Sequence, residues 1–230
     1  MQPKKIILLI FIAVTTVLLP LVLLLTNLQL TAFDRSYYQN EFIKYNIPQT
    51  VGIDIKELMK STEKLLLYME NKRGDLDFEA EINGQQVEFF STGDKIHMID
   101  VKNLFIRGRI LRNIALIFIV GFTGFLIFRR RNDVRLFAKL GFAVFFTGSI
   151  PVLILIALIN IDFNKYFTVF HEIFFNNNYW LMNPSVDRLV NIFPQEFFSD
   201  IALKVAYLYT AEMGAILLLS IIGSIRARKI

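Results

Sequence analysis

At 230 residues, 54% hydrophobic and with 23 Phe, the chain has more apolar surface than one soluble globule of this size can hide, and its mean hydropathy of +0.48 points to a bilayer. The absence of Cys excludes disulfides, thiolate metal sites, a cysteine nucleophile and a lipidated N-terminal Cys, and two His alone cannot build a three-histidine metal centre. A net charge of +5 becomes informative only through where the charges lie.

The first apolar run, Ile6 to Leu25, follows Lys4 and Lys5 and has about the 20 residues a helix needs to cross ~30 Å of hydrocarbon. Leu30-Thr31-Ala32 is a poor cleavage site and the run exceeds a signal-peptide core, so an uncleaved anchor, bent at Pro20, is expected. Further runs cover Ile114 to Phe128, Leu136 to Ile159 with an interruption at Pro151, and Ile201 to Ile225. The expected fold is an integral membrane, mainly α protein: a four-transmembrane-helix bundle with a small α+β extracellular cap between helices 1 and 2 and an aromatic-rich outer loop between helices 3 and 4.

The expected divisions are helix 1 within 1–32, the cap over 33–109, helix 2 over 110–128, a cytoplasmic turn over 129–135, helix 3 over 136–160, the outer loop over 161–200, helix 4 over 201–225 and a tail over 226–230. Lys4, Lys5, Arg129, Arg130, Arg131, Arg135, Lys139, Arg226, Arg228 and Lys229 gather at the turn and termini against Asp133, leaving 15 basic and 19 acidic residues elsewhere. Under the positive-inside rule both termini are cytoplasmic and the cap and loop face outward.

Within the cap, Ile53, Leu58, Leu65, Leu66 and Met69 predict an amphipathic helix over 52–71. Alternation from Leu76 to Ile82, the pair Asn83-Gly84 and a return over Val87 to Phe90 predict a hairpin with a type I′ turn. Lys95 to Phe105 reads as a helix feeding the second span. No internal repeat, phosphate-binding glycine loop, serine nucleophile elbow or nucleic-acid motif is present.

His97 and His171 are the two side chains with unperturbed pKa values near neutrality, and both fall in outer segments close to a membrane boundary. Three-residue spacing puts Asp100 on the helix face of His97, where a carboxylate could orient the ring; a solvated face with a chance pair is the competing reading. His171 lies among Phe170, Glu172, Phe174, Phe175, Asn177, Trp180 and Asp187. Such aromatic density makes either an interfacial belt or a wall that holds acyl chains around a reacting ester, with Asn amides free to donate to an oxyanion. No second His follows His171-Glu172 at helical spacing, so a zinc site is unsupported. Glu212, midway down the fourth run, is expected to face the bundle and bond a hydroxyl such as Thr210 or Tyr207. Lys102, Arg107, Arg109 and Arg112 form a cationic strip suited to lipid headgroups.

The four spans, the outer cap, His97-Met98-Ile99-Asp100-Val101 before the second span, and Phe170-His171-Glu172-Ile173-Phe174-Phe175 with Trp180, Pro184, Asp187 and Phe193-Pro194-Gln195-Glu196-Phe197-Phe198 after the third together resemble the bacterial lipoprotein intramolecular transacylases, called Lit. The resemblance implies an acyltransferase that moves the sn-2 acyl chain of a diacylglyceryl lipoprotein onto the α-amino group of its N-terminal cysteine, leaving a lyso-form lipoprotein. It implies no cofactor, no metal, no nucleic-acid partner, a monomer among membrane lipids, and an active site at the outer leaflet of the bacterial cell membrane. His97 and His171 would be the catalytic pair, with Asp100, Glu172, Phe170, Phe174, Phe175, Asn177, Trp180 and Asp187 supporting or positioning substrate. His171 as base and His97 as acid or oxyanion donor is one assignment; the reverse stays open. The rival reading is a non-enzymatic membrane protein whose cap binds a lipid or a partner.

Overall fold

The computed structural model describes residues 3–130 and 133–228, so Arg131 and Asn132 of the basic turn and Lys229 of the tail lie outside the described residues. In chain order the elements are α1 (Pro3–Ala32), α2 (Arg35–Lys44), α3 (Ile47–Val51), α4 (Ile55–Met69), β1 (Glu79–Ile82), β2 (Gln85–Glu88), α5 (Thr92–Arg130), α6 (Val134–Phe174), α7 (Leu189–Ile192) and α8 (Gln195–Arg226). Among the described residues, four of these helices, α1, α5, α6 and α8, are long and apolar enough to cross a membrane, which makes this a multi-pass integral membrane protein.

Two compact units share these helices. The first takes residues up to Leu28, Arg109–Asn160 and the chain from Leu203; the second takes Gln29–Gly108 and Ile161–Ala202. In the first unit large apolar side chains such as Ile117, Val120, Phe128, Leu153 and Leu219 stand exposed, as expected of surface solvated by lipid. Its interior is small and tight: Tyr209 and Met213 pack with Val152 and Ala206, and a side chain on Gly148 of α6 would collide with Pro20 of α1 and Tyr209 of α8. α1 runs as one helix through Pro20, and α6 runs on past Pro151; the non-helical residue of α6 is Asp162 (φ −163°, ψ 89°).

Glu212 meets an amide rather than a hydroxyl. Asn27 Nδ2 of α1 donates to Glu212 Oε2 of α8 at 2.8 Å, while Tyr207 is 80% exposed. A double-mutant cycle on Asn27→Ala and Glu212→Ala, read as stability in detergent, should return a coupling of about 1 kcal/mol, because polar pairs between membrane helices find substitute partners when broken. A coupling of zero would show that the bond does not join the helices.

The second unit is built on local signals. Asp34 caps α2 by accepting from the Ser36 and Tyr37 amides, and Asp54 caps α4 by accepting from Lys56 N at 2.8 Å. Ala80 and Ile82 of β1 point into the core, and Asn83 (φ 50°) and Gly84 (φ 78°) supply the two left-handed residues the tight turn demands. Asn83 N donates to Gly52 O, so the hairpin tip is tied to the left-handed end of α3. Phe42, Leu58, Leu66, Phe89, Phe90 and Ile192 fill the interior with almost no exposure.

Two features of this unit differ from the sequence expectation. α2 and α3 were not predicted, although Asp34 followed by Tyr37, Tyr38, Glu41 and Phe42 traces a capped helix with one buried face. The segment expected as an outer loop from residue 161 begins instead as helix, with Asp162 Oδ1 accepting from Lys165 N at the kink and helical backbone continuing to Phe174. The kink starts a new helical stretch because its carboxylate supplies a cap.

Candidate active site

α5 has 39 residues, about 58 Å of helix, close to twice the hydrocarbon thickness. Its charge-free stretch is 113–128; the preceding turns hold Asp94, Lys95, Asp100, Lys102, Arg107, Arg109 and Arg112, and His97 sits among them. α6 is likewise charge-free over 140–161, and His171 lies in the polar stretch beyond. Both histidines belong to the second unit.

The two imidazoles face each other with ring centroids 5.9 Å apart and planes 28° from parallel. His97 is 6% exposed and His171 8%. Phe175 closes the edge of the pair, its centroid 5.1 Å from His97 and 5.4 Å from His171. Trp180 stacks on His171 at 5.1 Å, and Phe167 and Phe170 meet the same ring edge-on. Of the residues singled out in the sequence, His97, His171, Phe170, Phe175 and Trp180 therefore come together. Phe174 packs on Phe170 but is half exposed, and Glu172 is exposed.

Hydrogen bonding differentiates the rings. His171 Nδ1 lies 2.6 Å from the Phe167 carbonyl oxygen. A carbonyl can only accept, so Nδ1 carries the hydrogen and, in the neutral ring, Nε2 keeps a lone pair. His97 Nδ1 is buried and has no hydrogen-bond partner among the described residues. Burial, reinforced by His171 and opposed by Asp100, pushes the His97 imidazole down to about 4. Burial also lowers His171, against the Phe167 bond.

Both rings are thus neutral at pH 7, a state that is directly checkable because the chain has two histidines. In ¹⁵N-histidine spectra of the solubilised protein, His171 should show the Nδ1–H form and titrate below its ordinary 6.5, with His97 protonating near 4. Since the folded state then binds fewer protons than the unfolded one between pH 6.5 and 4, stability should fall as pH is lowered through that window. A His97 that is charged at pH 6 would contradict this picture.

Asp100 and Asn177 occupy positions other than those expected. Asp100 does not bond His97; its Oδ2 accepts from Asn177 Nδ2 at 2.8 Å, and Asn177 Oδ1 accepts from Tyr179 N at 3.1 Å. The Asn177 amide is engaged with a carboxylate rather than free for an oxyanion. Asp187 is built into the loop: it accepts from Ser91 Oγ at 2.6 Å and from Asn183 N at 2.7 Å. Lys102 of the cationic strip sits over the Tyr68 ring at 4.1 Å.

Asp94 and Arg188, not among the residues expected at the site, are joined next to it. Ser91 and Asp94 form a reciprocal capping box at the start of α5: Asp94 N donates to Ser91 Oγ at 2.9 Å and Ser91 N to Asp94 Oδ2 at 3.1 Å. The fully buried Asp94 carboxylate also accepts from Arg188 N and Leu189 N, and Arg188 donates to the Glu88 and Phe89 carbonyls. The Ser-x-x-Asp spacing ahead of a helix was the available signal.

Among families of known proteins, the lipoprotein intramolecular transacylase Lit family matches this chain over residues 13–198. The chain belongs to the Lit family. Solved structures agree in fold: the in meso structure of the membrane integral lipoprotein intramolecular transacylase Lit from Bacillus cereus is 22% identical, covers 96% of this chain and 94% of that one, and superposes with a TM-score of 0.74. Structures of the same Bacillus cereus protein with a histidine replaced by arginine or by alanine, each 19% identical, give TM-scores of 0.77 and 0.78 over 98% and 99% of this chain and 96% and 98% of theirs. No curated protein matches the chain significantly. As a Lit family member this protein is an enzyme, an intramolecular transacylase, which sets aside the reading of a cap that only binds.

Proposed function

We propose that this Lit enzyme moves the sn-2 acyl chain of a diacylglyceryl lipoprotein to the α-amino group of the lipoprotein's own N-terminal cysteine, with His171 as general base and His97 as hydrogen-bond donor to the developing oxyanion. The observation that carries the assignment is the His171 Nδ1–H bond to the Phe167 carbonyl, which leaves Nε2 as the acceptor on a ring stacked 5.9 Å from His97.

The substrate brings both nucleophile and ester, so the enzyme needs no covalent intermediate; it must fold the substrate so that amine and carbonyl meet. With ring centroids 5.9 Å apart, the two imidazoles lie at one place, where the amine and the carbonyl of a single folded substrate can each meet one of them. The amine nitrogen attacks the ester carbon and its proton passes to His171 Nε2. The carbonyl oxygen, now negative, accepts a hydrogen bond from His97. The ester C–O bond then breaks, the glyceryl oxygen takes the proton from His171, and both imidazoles end neutral as the amide forms. Phe175 and Trp180 exclude water from the intermediate, which limits hydrolysis, and the exposed rings of Phe170 and Phe174 beside Ile173 suit the acyl chain.

The positions of the charges support cytoplasmic termini and an active site at the outer leaflet. A single-turnover assay with a synthetic diacylglyceryl lipopeptide tests the reaction: the product should have unchanged mass with the acyl group moved to the amine. Release of free fatty acid would instead indicate a lipase.

A further inference from the structure

We infer that Asn177 is a positioning residue whose side-chain amide keeps the Asp100 carboxylate off His97, so that His97 meets the substrate as a neutral hydrogen-bond donor. The inference rests on the role of His97 proposed above and goes beyond it by naming what maintains that role.

An Asp one turn from a His on a helix would ordinarily pair with it, and the pair would hold the ring as an imidazolium. Here the pairing is absent although the spacing allows it: His97 Nδ1 is buried without a partner, and Asp100 Oδ2 is taken by Asn177 Nδ2 at 2.8 Å. Asn177 is itself held, with Oδ1 accepting from Tyr179 N at 3.1 Å, so its amide orientation is fixed with nitrogen toward the carboxylate. The loop that supplies Asn177 also supplies Trp180, which stacks on His171. One short segment therefore sets the surroundings of both rings. The titratable groups acting on His97 are His171 across the site and Asp100 on its own helix; the first lowers its proton affinity and the second raises it. Asn177 limits the second influence by restraining the carboxylate.

A neutral donor suits the proposed chemistry. A neutral imidazole can give a hydrogen bond to the oxyanion without surrendering its proton to the substrate amine, and it does not repel the positive charge that builds on His171 when it takes the amine proton.

The test uses the full-length chain, solubilised and labelled at histidine. In Asn177→Ala the freed carboxylate should swing to His97 Nδ1, raising the proton affinity of His97 at least tenfold and moving its titration from near 4 toward 6.5. kcat should fall with KM unchanged, because a ring paired through Nδ1 with a carboxylate no longer meets the substrate as a neutral donor. Adding Asp100→Asn to Asn177→Ala should abolish the rise, since no carboxylate remains to pair. An unchanged His97 titration in Asn177→Ala overturns the inference. So does an equal rise in the double variant, which would mean that water had entered a loosened loop. If Asn177→Ala fails to fold, Asn177→Ser carries the same comparison, the fold being monitored by the Trp180 ring current on His171. Full activity in His97→Phe, which has no N–H to give, would instead overturn the proposed role of His97 and leave the Asn177 result to stand on the titration alone.

Discussion

Replacing His171 with asparagine should lower kcat by about 10² to 10⁴-fold while changing KM little, the range general-base catalysis supplies. Asparagine can still direct an N–H at the Phe167 carbonyl, so the local bond seen at 2.6 Å has a substitute, but the Nε2 lone pair is gone. In the proposed arrangement the acyl chain lies on Phe170 and Phe174, rings that the substitution leaves in place. The loss should therefore appear in the chemical step, and single-turnover rates with a diacylglyceryl lipopeptide measure it without interference from product release. A rise in KM at constant kcat would relocate His171 from proton transfer to substrate binding. Equal rates for wild type and variant would remove the two-histidine mechanism altogether.

How far the sequence predicted this arrangement depends on the scale at which information is stored. The spans were legible because long apolar runs with almost no charge need no tertiary context, and the Asn83-Gly84 hairpin because both residues take positive φ, which few other pairs tolerate. Pro151 misled because a membrane helix passes through proline when neighbours satisfy the freed backbone groups; the break came eleven residues later, where Asp162 could cap the next turn. The two histidines stood out as rare titratable residues near one boundary. Their pairing was not legible: a 5.9 Å approach between residues 74 positions apart is a product of packing, with Phe175 and Trp180 filling the space around it. The bond between Asn177 and Asp100 was not legible either, because no local pattern announces a hydrogen bond between residues 77 positions apart.

Asp94→Ala should be the most destabilising single change in the second unit, costing about 3–5 kcal/mol. The carboxylate is 0% exposed and accepts backbone N–H groups from Ser91, Arg188 and Leu189. Alanine would leave those donors buried without an acceptor, each at a cost of about 1–3 kcal/mol before relaxation, and would remove one half of the capping box that starts α5. Burial pushes the Asp94 carboxyl up, with Asp187 adding to the shift, and the three N–H donors oppose it. Asp94→Asn keeps the shape and one good acceptor, and should recover roughly half of the loss. The consequence reaches the active site because His97 lies three residues further along the same helix, and Arg188 and Leu189 lead back to Asp187, which holds Ser91. Unfolding of the detergent-solubilised protein, followed through its single tryptophan, Trp180, measures the stability, and the histidine spectra measure whether the rings stay paired. A variant as stable as wild type would show that water or a neighbouring group replaces the carboxylate. A destabilised variant with native imidazole spectra would show that the knot at Asp94 supports the fold of the unit without setting the geometry of the two histidines.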